Sequence, residues 1–239
     1  MNKCTFVPGL MVVISLAGVG CAINVGPGPS GGEPTPSTTS VRVAHAAAET
    51  PAFDVCVAGE VVLENARFGR ITRYSETQAG VVLFQVIDAG GDCDDIVGED
   101  ITVNLASNRA YTVVALEDED PIPLLDDTSP VRDGRARIRI INGSRNSLAV
   151  DVTDEGGFQL FDDVRYNEED DYAYSEIPAG TYDLVVTPLA GTRTPVSLGE
   201  QELAEGHVYT VFVFGFADPE DDEEPFDAII VDDGNAGTW

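Results

Sequence analysis

The chain has 239 residues and a formal net charge of −29, from 42 acidic and 13 basic residues. Such a charge repels nucleic-acid phosphates and anionic lipid, so no nucleic-acid partner is expected. Lys3 is the only lysine, which excludes lysine Schiff-base chemistry and a P-loop lysine beyond the first residues. The 43% of hydrophobic residues can form buried cores, and the 24 glycines and 14 prolines favour short strands joined by turns.

Residues 1–20 have the layout of a lipoprotein signal peptide. Lys3 provides a positive start, and an apolar stretch from Thr5 to Ala17 is too short to span a membrane as a helix. The following letters, GVGC at 18–21, resemble a bacterial lipobox, which implies that Cys21 is lipidated and becomes the mature N-terminus. The alternative is ordinary signal-peptide cleavage, in which Cys21 has no role.

Residues 21–40 are rich in Gly, Pro, Ser and Thr and predict a flexible tether. A tether is expected between a lipid anchor and a folded body. Ala22 follows the cysteine, where an aspartate would favour retention at the inner membrane. An outer-membrane lipoprotein, periplasmic or surface-exposed, is therefore the predicted location, and a secreted protein is the alternative.

An internal repeat organises the rest of the chain. Three pairs of segments match, namely 41–46 with 138–143, 79–80 with 179–180, and 111–113 with 209–211. The offsets of 97, 100 and 98 residues are nearly constant, which predicts two copies of one module. The copies occupy 41–120 and 135–239, and a linker rich in Pro, Asp and Gly joins them at 121–134.

The first copy contains seven short segments of strand character. They lie near 41–46, 53–58, 61–64, 71–76, 81–88, 100–105 and 109–116. A further strand is predicted from Phe226 to Val231, closing the second copy. The fold class predicted from this pattern is all-β, with two tandem immunoglobulin-like, antiparallel β-sandwich modules.

The opening of the first copy, VRVAHA at 41–46 followed by PAFDV at 51–55, resembles the DUF4397 family, whose pattern reads roughly VRVVHASPDAPAVDVYVDG. Later landmarks follow in the family's order, at Phe68-Gly69, Tyr74, Ala79-Gly80 and 111–114. The second copy is similar through Arg139, Asp151, Tyr166, 177–182 and 209–211. It departs at Asn142-Gly143, where the family has His-Ala. The resemblance implies a β-sandwich of the cell envelope or extracellular space, in a family without an established activity.

Cys56 and Cys93 are the two cysteines of the first module. An oxidising compartment after export favours a disulfide between them. Free or metal-binding thiols are the alternative. The second module has Thr153 near the position of Cys56 and is expected to be held together by packing alone.

His45 and His207 are the only histidines, and no Gly-x-Ser-x-Gly nucleophile elbow accompanies them. Both are predicted to be structural residues bonded to the backbone at strand ends. Asp54 and Asp151 recur at one position of the two modules, and a turn-capping or arginine-pairing role is predicted for them. Asn142-Gly143-Ser144 is formally a glycosylation sequon, which usually has no meaning in bacteria.

Acidic runs at 117–120, 168–171 and 218–224 offer oxygen ligands of the kind that Ca²⁺ takes. They lack a D-x-D-x-D-G loop, so solvated carboxylates are the preferred interpretation and no metal or other cofactor is predicted.

The predicted function is that of a non-enzymatic cell-envelope lipoprotein with surface-binding, adhesion or structural roles. Its expected partners are the membrane, through the lipid anchor, and an unidentified protein or glycan. The alternatives are a calcium-dependent adhesion module and a secreted hydrolase that uses acidic residues.

Overall fold

A computed structural model describes residues 37–94, 100–116 and 121–235. These residues form sixteen strands and one short 3₁₀ helix, and they contain no α-helix. The predicted all-β fold is therefore confirmed. The predicted signal peptide, Cys21, most of the tether and the acidic run 117–120 lie outside the described residues. No helix in the described part of the chain is long and apolar enough to span a membrane.

Each half of the folded body contains eight of the described strands. Those of the first half are β1 (Thr38–His45), β2 (Phe53–Val57), β3 (Glu60–Ala66), β4 (Ser75–Gln78), β5 (Gly80–Asp88), β6 (Ile101–Leu105), β7 (Ala110–Ala115) and β8 (Ile122–Asp126). Those of the second half are β9 (Arg135–Asn142), β10 (Ala149–Asp154), β11 (Gln159–Arg165), β12 (Ser175–Pro178), β13 (Gly180–Pro188), β14 (Val196–Leu203), β15 (His207–Phe214) and β16 (Asp227–Asn235). The 3₁₀ helix, Glu169–Tyr172, precedes β12.

The two halves have the same topology. One four-stranded sheet has the order β4-β1-β7-β8 in the first half and β12-β9-β15-β16 in the second. The other sheet has the order β3-β2-β5-β6 in the first half and β11-β10-β13-β14 in the second. The first kind is called the inner sheet and the second the outer sheet. The strands pair antiparallel as predicted, except that β1 pairs parallel with β7 and β9 pairs parallel with β15.

The inner sheets of the two halves face each other, so the body has four layers in the order outer, inner, inner, outer. Alternate side chains of β1 show this arrangement: Val41 and Val43 pack in the core against the outer sheet, whereas Arg42 contacts the inner sheet of the second half. The strands β1, β7, β9 and β15 are thus covered on both faces. This explains why most of their side chains are buried, and why β7 and β15 have the nearly continuous apolar sequences that are typical of strands buried on two sides.

One apolar core runs from the interface between the halves into the second sandwich. It contains Ala44, Val114 and Leu124 of the first half together with Ile141, Val211 and Phe212 of the second. A separate core fills the first sandwich. The described residues of the two halves accordingly form one compact unit.

The predicted linker at 121–134 and tether at 21–40 require correction. The strand β8 occupies 122–126 and pairs with β7, so the connection between the halves is shorter than predicted. Pro121 and Pro123 indicated a turn, but β8 lies at a sheet edge, where proline is tolerated. The strand β1 begins at Thr38, within the predicted tether, and the segment predicted at 71–76 is the strand 75–78. The predicted closing strand at 226–231 corresponds to β16.

A disulfide joins Cys56, in the middle of the first outer sheet, to Cys93 in the loop after β5. Cys56 is fully buried. The bond closes a loop of 37 residues, and loop entropy predicts a stabilisation of about 3–4 kcal/mol for a loop of that length.

Replacing both bonded cysteines by serine is expected to lower the free energy of unfolding by about 3 kcal/mol, since the unfolded chain regains the loop entropy. Thermal melting with and without reductant measures the effect. Reductant is expected to lower the melting temperature of the wild type towards that of the variant and to leave the variant unchanged. A reductant-insensitive wild type would contradict the prediction.

Candidate functional site

Among the described residues, charged and hydroxyl side chains form a cluster buried between the two inner sheets. It consists of three equivalent pairs, one member from each half: Arg42 and Arg139, Thr112 and Thr210, Asp126 and Asp233. The two arginines are 2% and 1% exposed and are among the largest fully buried side chains of the described chain.

Arg42 connects its own half to the other. Its Nε donates to Thr112 Oγ1 of the first half at 2.8 Å. Its Nη2 donates to Thr210 Oγ1 at 3.2 Å, and both terminal nitrogens donate to the carboxylate of Asp233 in the second half. A bidentate arginine–carboxylate pair of this kind fixes orientation as well as charge.

Arg139 repeats these contacts in the opposite direction. Its Nε donates to Thr210 of its own half at 3.3 Å, and its Nη2 donates to Thr112 at 3.1 Å and to Asp126, both in the first half. Each threonine hydroxyl accepts from both arginines and donates to the aspartate of its own half. Each half therefore supplies an arginine to the aspartate of the other half, in an arrangement with pseudo-twofold symmetry. Two cations balance two anions.

Tyrosine rings cover the guanidinium groups. The Arg42 carbon Cζ lies 4.7 Å from the centre of the Tyr74 ring, and that of Arg139 lies 4.6 Å from the Tyr174 ring. Burial by itself would lower the pKa of Arg42, but the charge of Asp233, the hydrogen bond to it and the nearby Tyr74 and Asp126 together outweigh this effect and hold the pKa above its ordinary value. Arg42 is therefore charged inside the protein, which is tolerated because the cluster is paired and bonded throughout.

The sequence alone does not bring Arg42 and Arg139 together. The available signal was their recurrence at one repeat position, together with a threonine in each YTV segment and an aspartate in each closing strand. Asp126 was missed because it fell within the predicted linker. Its equivalence to Asp233 is visible only after β8 and β16 are recognised as equivalent edge strands.

The apolar part of the interface combines small residues from the first half with large ones from the second. Ala44 corresponds to Ile141, Val114 to Phe212 and Leu116 to Phe214. Gly143 stands opposite Ala46, and a Cβ added at Gly143 would lie 2.6 Å from the Ala46 Cβ and 2.9 Å from the carbonyl oxygen of Val213. The glycine that departs from the family pattern is thus required for close approach of the halves.

His45 lies at the end of β1, stacked 4.2 Å from the Phe53 ring centre and edge-on to Phe68. It is 1% exposed, and neither ring nitrogen has a hydrogen-bond partner among the described residues. Burial lowers its pKa to about 4, against a smaller opposing effect of the backbone at Pro51 and Thr50. The backbone at Thr50 and Pro51 thus lies near the ring, as predicted for a structural histidine, but neither ring nitrogen makes a hydrogen bond of normal geometry with it.

His207 begins β15 and contacts Asp232 at 3.0 Å on the surface. At the position equivalent to His45, Asn142 is buried and donates to the carbonyl of Val164, while its own oxygen accepts from the backbone of Ser144. The sequon asparagine is therefore a structural residue with no access to a glycosylating enzyme.

Asp54 and Asp151 cap irregular turns, as predicted. Asp54 accepts from the backbone nitrogens of Asn65 and Gly90, and Asp151 accepts from that of Asp163. Asn65 and Asp163 both have positive φ, so the aspartates stabilise equivalent bulges. Within the described ranges, no three His, Cys, Asp or Glu side chains lie close enough to hold a metal ion.

Residues 67–73, called the basic segment, join β3 to β4. Arg67, Arg70 and Arg73 are exposed, and their side chains make no hydrogen bond or ion pair within the described chain. A shallow groove lies between this segment and β3. The equivalent residues of the second half, 165–171, are called the acidic segment, and there Arg165 is paired with Asp171 at 2.8 Å.

Substituting Arg139 by methionine is expected to lower the free energy of unfolding by about 3–5 kcal/mol, because Asp126 loses the cation that compensates its burial. The double variant Arg139→Met/Asp126→Leu is expected to be more stable than this single variant. Arg165→Met removes an exposed pair and is expected to cost much less, because solvent screens that pair. Urea unfolding of the three variants provides the comparison, and equal losses for Arg139→Met and Arg165→Met would contradict it.

Acid is expected to destabilise the protein through His45. Its pKa is about 4 in the folded chain and near 6.5 when unfolded, so stability present at neutral pH is lost as pH falls from 6.5 towards 4. Between pH 7 and 4.5, the His45→Leu variant should lose about 2–3 kcal/mol less unfolding free energy than the wild type. Denaturant titrations at the two pH values test this, and equal losses in the variant and the wild type would contradict it.

Comparison with known proteins gives one family match. Residues 39–153 match the model of DUF4397, a domain of unknown function. The match runs from β1 to β10, so it covers the first half and the opening strands of the second. No protein with a curated functional description matches the chain.

Two solved structures are similar to the chain at low identity. The Bacillus anthracis TIE protein matches at 11% identity with a TM-score of 0.25, over 74% of this chain and 34% of that one. A leucine-rich repeat protein from Bacteroides thetaiotaomicron matches at 13% identity and a TM-score of 0.18, over 71% and 24%. The chain thus spans about a third and a quarter of these structures, and it carries a DUF4397 match at residues 39–153.

Proposed function

We propose that the protein is a non-enzymatic lipoprotein of the bacterial cell envelope, whose paired β-sandwiches serve a binding, adhesion or structural role. The observation that carries this proposal is the location of the protein's clustered arginines and aspartates. The arginines and aspartates that converge are enclosed between the inner sheets, where they hold the halves together and no substrate reaches them.

The surroundings of the two histidines support a non-enzymatic role. A catalytic histidine needs a nucleophile and an orienting acid within reach. The ring of His45 is packed between phenylalanines, and His207 contacts a surface carboxylate at the edge of the second half. Neither arrangement resembles a nucleophile–base pair.

Attachment to the membrane through Cys21 belongs to the same proposal. Its support is the sequence alone: a short apolar leader, the GVGC segment and a tether rich in Gly, Pro, Ser and Thr. The tether leads to Thr38, where β1 begins. A connection of this composition would leave the folded body free to meet partners beside the membrane.

Expression of the full chain in a bacterium that processes lipoproteins tests the anchor. The wild type is expected in the membrane fraction, labelled by radioactive palmitate, with its precursor accumulating under globomycin. Cys21→Ser is expected to lose the label and to appear in the soluble fraction. Cys4→Ser, a change within the leader, is the matched control and is expected to behave as the wild type. Normal labelling of Cys21→Ser would contradict the assignment.

The binding role is tested separately with the same full chain. Immobilised wild-type protein is exposed to isolated envelope proteins and to isolated envelope glycans. Saturable retention of one class by the folded protein supports the binding version, and retention of neither favours a structural one. Hydrolysis of any substrate in a broad hydrolase screen would overturn the non-enzymatic proposal.

A further inference from the structure

We propose that the basic segment binds the acidic segment of a second copy of this chain, so that copies associate side by side in one orientation. This inference goes beyond the proposed function and does not depend on the lipid anchor. It starts from a difference between the halves that their common fold does not require.

The two segments occupy equivalent places. Each follows the edge strand of an outer sheet, β3 or β11, and precedes the edge strand of an inner sheet, β4 or β12. Each passes through a residue of positive φ, Gly69 or Asn167. The two connections join equivalent strands, although the acidic one contains the 3₁₀ helix, so neither charge pattern is needed to join those strands.

Their charges are opposite. The basic segment contains three arginines and no acidic residue, whereas residues 168–171 of the acidic segment are Glu-Glu-Asp-Asp. Asp171 is occupied by Arg165, which leaves Glu168, Glu169 and Asp170 exposed. Three exposed cations thus face outward on one half and three exposed anions on the other. Complementary charge of this kind selects partners and fixes their register.

The segments lie at the same end of the body. The backbone nitrogen of Gly69 donates to the carbonyl of His45, at the end of β1. The Tyr172 hydroxyl, next to the acidic segment, donates to the carbonyl of Asn142 at the end of β9. The ends of β1 and β9 meet where Ala46 touches Gly143, so both segments lie at that end.

They also lie on opposite flanks. Arg42 on β1 reaches Asp233 on β16, whereas Arg139 on β9 reaches Asp126 on β8. The inner sheets are therefore stacked with their strand orders reversed, which places β4 on one flank and β12 on the other. Because the basic segment lies beside the first sandwich and the acidic segment beside the second, a neighbour displaced without rotation both sideways and across the stack of layers brings its acidic segment to the basic segment. Such a contact does not close, and its repetition forms a row.

In such a row, every copy has the start of its β1 strand on the same side. The strand β1 is eight residues long, and its last residue, His45, contacts the basic segment. Its first residue, Thr38, therefore lies at the end of the body opposite to the contact. Exposed ion pairs are individually weak and the net charge of −29 opposes association, so a dissociation constant of roughly 0.1–1 mM is expected. Moderate salt screens the long-range repulsion, whereas high salt also weakens the pairs.

Sedimentation equilibrium of the full chain, at moderate salt and up to about 1 mM protein, tests the proposal. The average mass of the wild type is expected to rise with concentration. Two charge-reversed variants are expected to remain monomeric by themselves: Arg67→Glu/Arg70→Glu/Arg73→Glu and Glu168→Arg/Glu169→Arg/Asp170→Arg. An equal mixture of the two is expected to associate again, because each supplies the charge that the other lacks.

A matched control changes three exposed acids elsewhere, Glu220→Arg/Asp221→Arg/Asp222→Arg. It alters the net charge as the second variant does, and it is expected neither to stay monomeric nor to rescue the arginine variant. Arg67→Gln/Arg70→Gln/Arg73→Gln serves if a reversed variant does not fold, and it is expected to weaken association at least tenfold. A monomeric wild type at every concentration, unchanged association of the variants, or a mixture that fails to associate would each overturn the proposal.

Discussion

The exchange of charge between Arg42 and Asp233, and between Arg139 and Asp126, is the constraint on which the rest of the structure depends. Within the described residues, each of these two arginines forms its ion pair with an aspartate of the other half. A buried charge without a partner is strongly unfavourable. The facing sides of the two inner sheets can therefore be buried only against each other. This requirement explains why two sandwiches of common topology form one four-layered body.

The apolar contacts make the same interface unequal. The first half contributes the smaller side chains and the second the larger ones, with Gly143 admitting Ala46 at the point of closest approach. Charge exchange alone would suit two identical halves, since it is symmetric. Shape complementarity therefore specifies that a first half packs on a second half, while the polar cluster sets how they are turned relative to each other.

The all-β class and the positions of the first-half strands could be predicted because strand length, turn residues and repeat spacing are local signals. Asp54 and Asp151 could be interpreted as capping residues for the same reason. The cluster could not be predicted, since alternation indicates that Arg42 and Val43 point to opposite faces but does not reveal that both faces are covered. Pro121 and Pro123 concealed β8, because proline indicates a turn unless the strand is known to be an edge. The unsatisfied ring of His45 is equally invisible in sequence, since it depends on burial.

The pairing of Arg42 with Asp233 spans 191 residues. Arg42 lies near the start of the folded body and is among its first residues to leave the ribosome or to cross a membrane, yet the carboxylate that neutralises it is among the last. The β1 strand also cannot pair until β7 is present, and the residues of β7 are about 70 positions further along the chain. The body can therefore close only when its final strand has been delivered. The chain must stay open until then, and a product truncated before Asp233 leaves its first strand with an uncompensated charge.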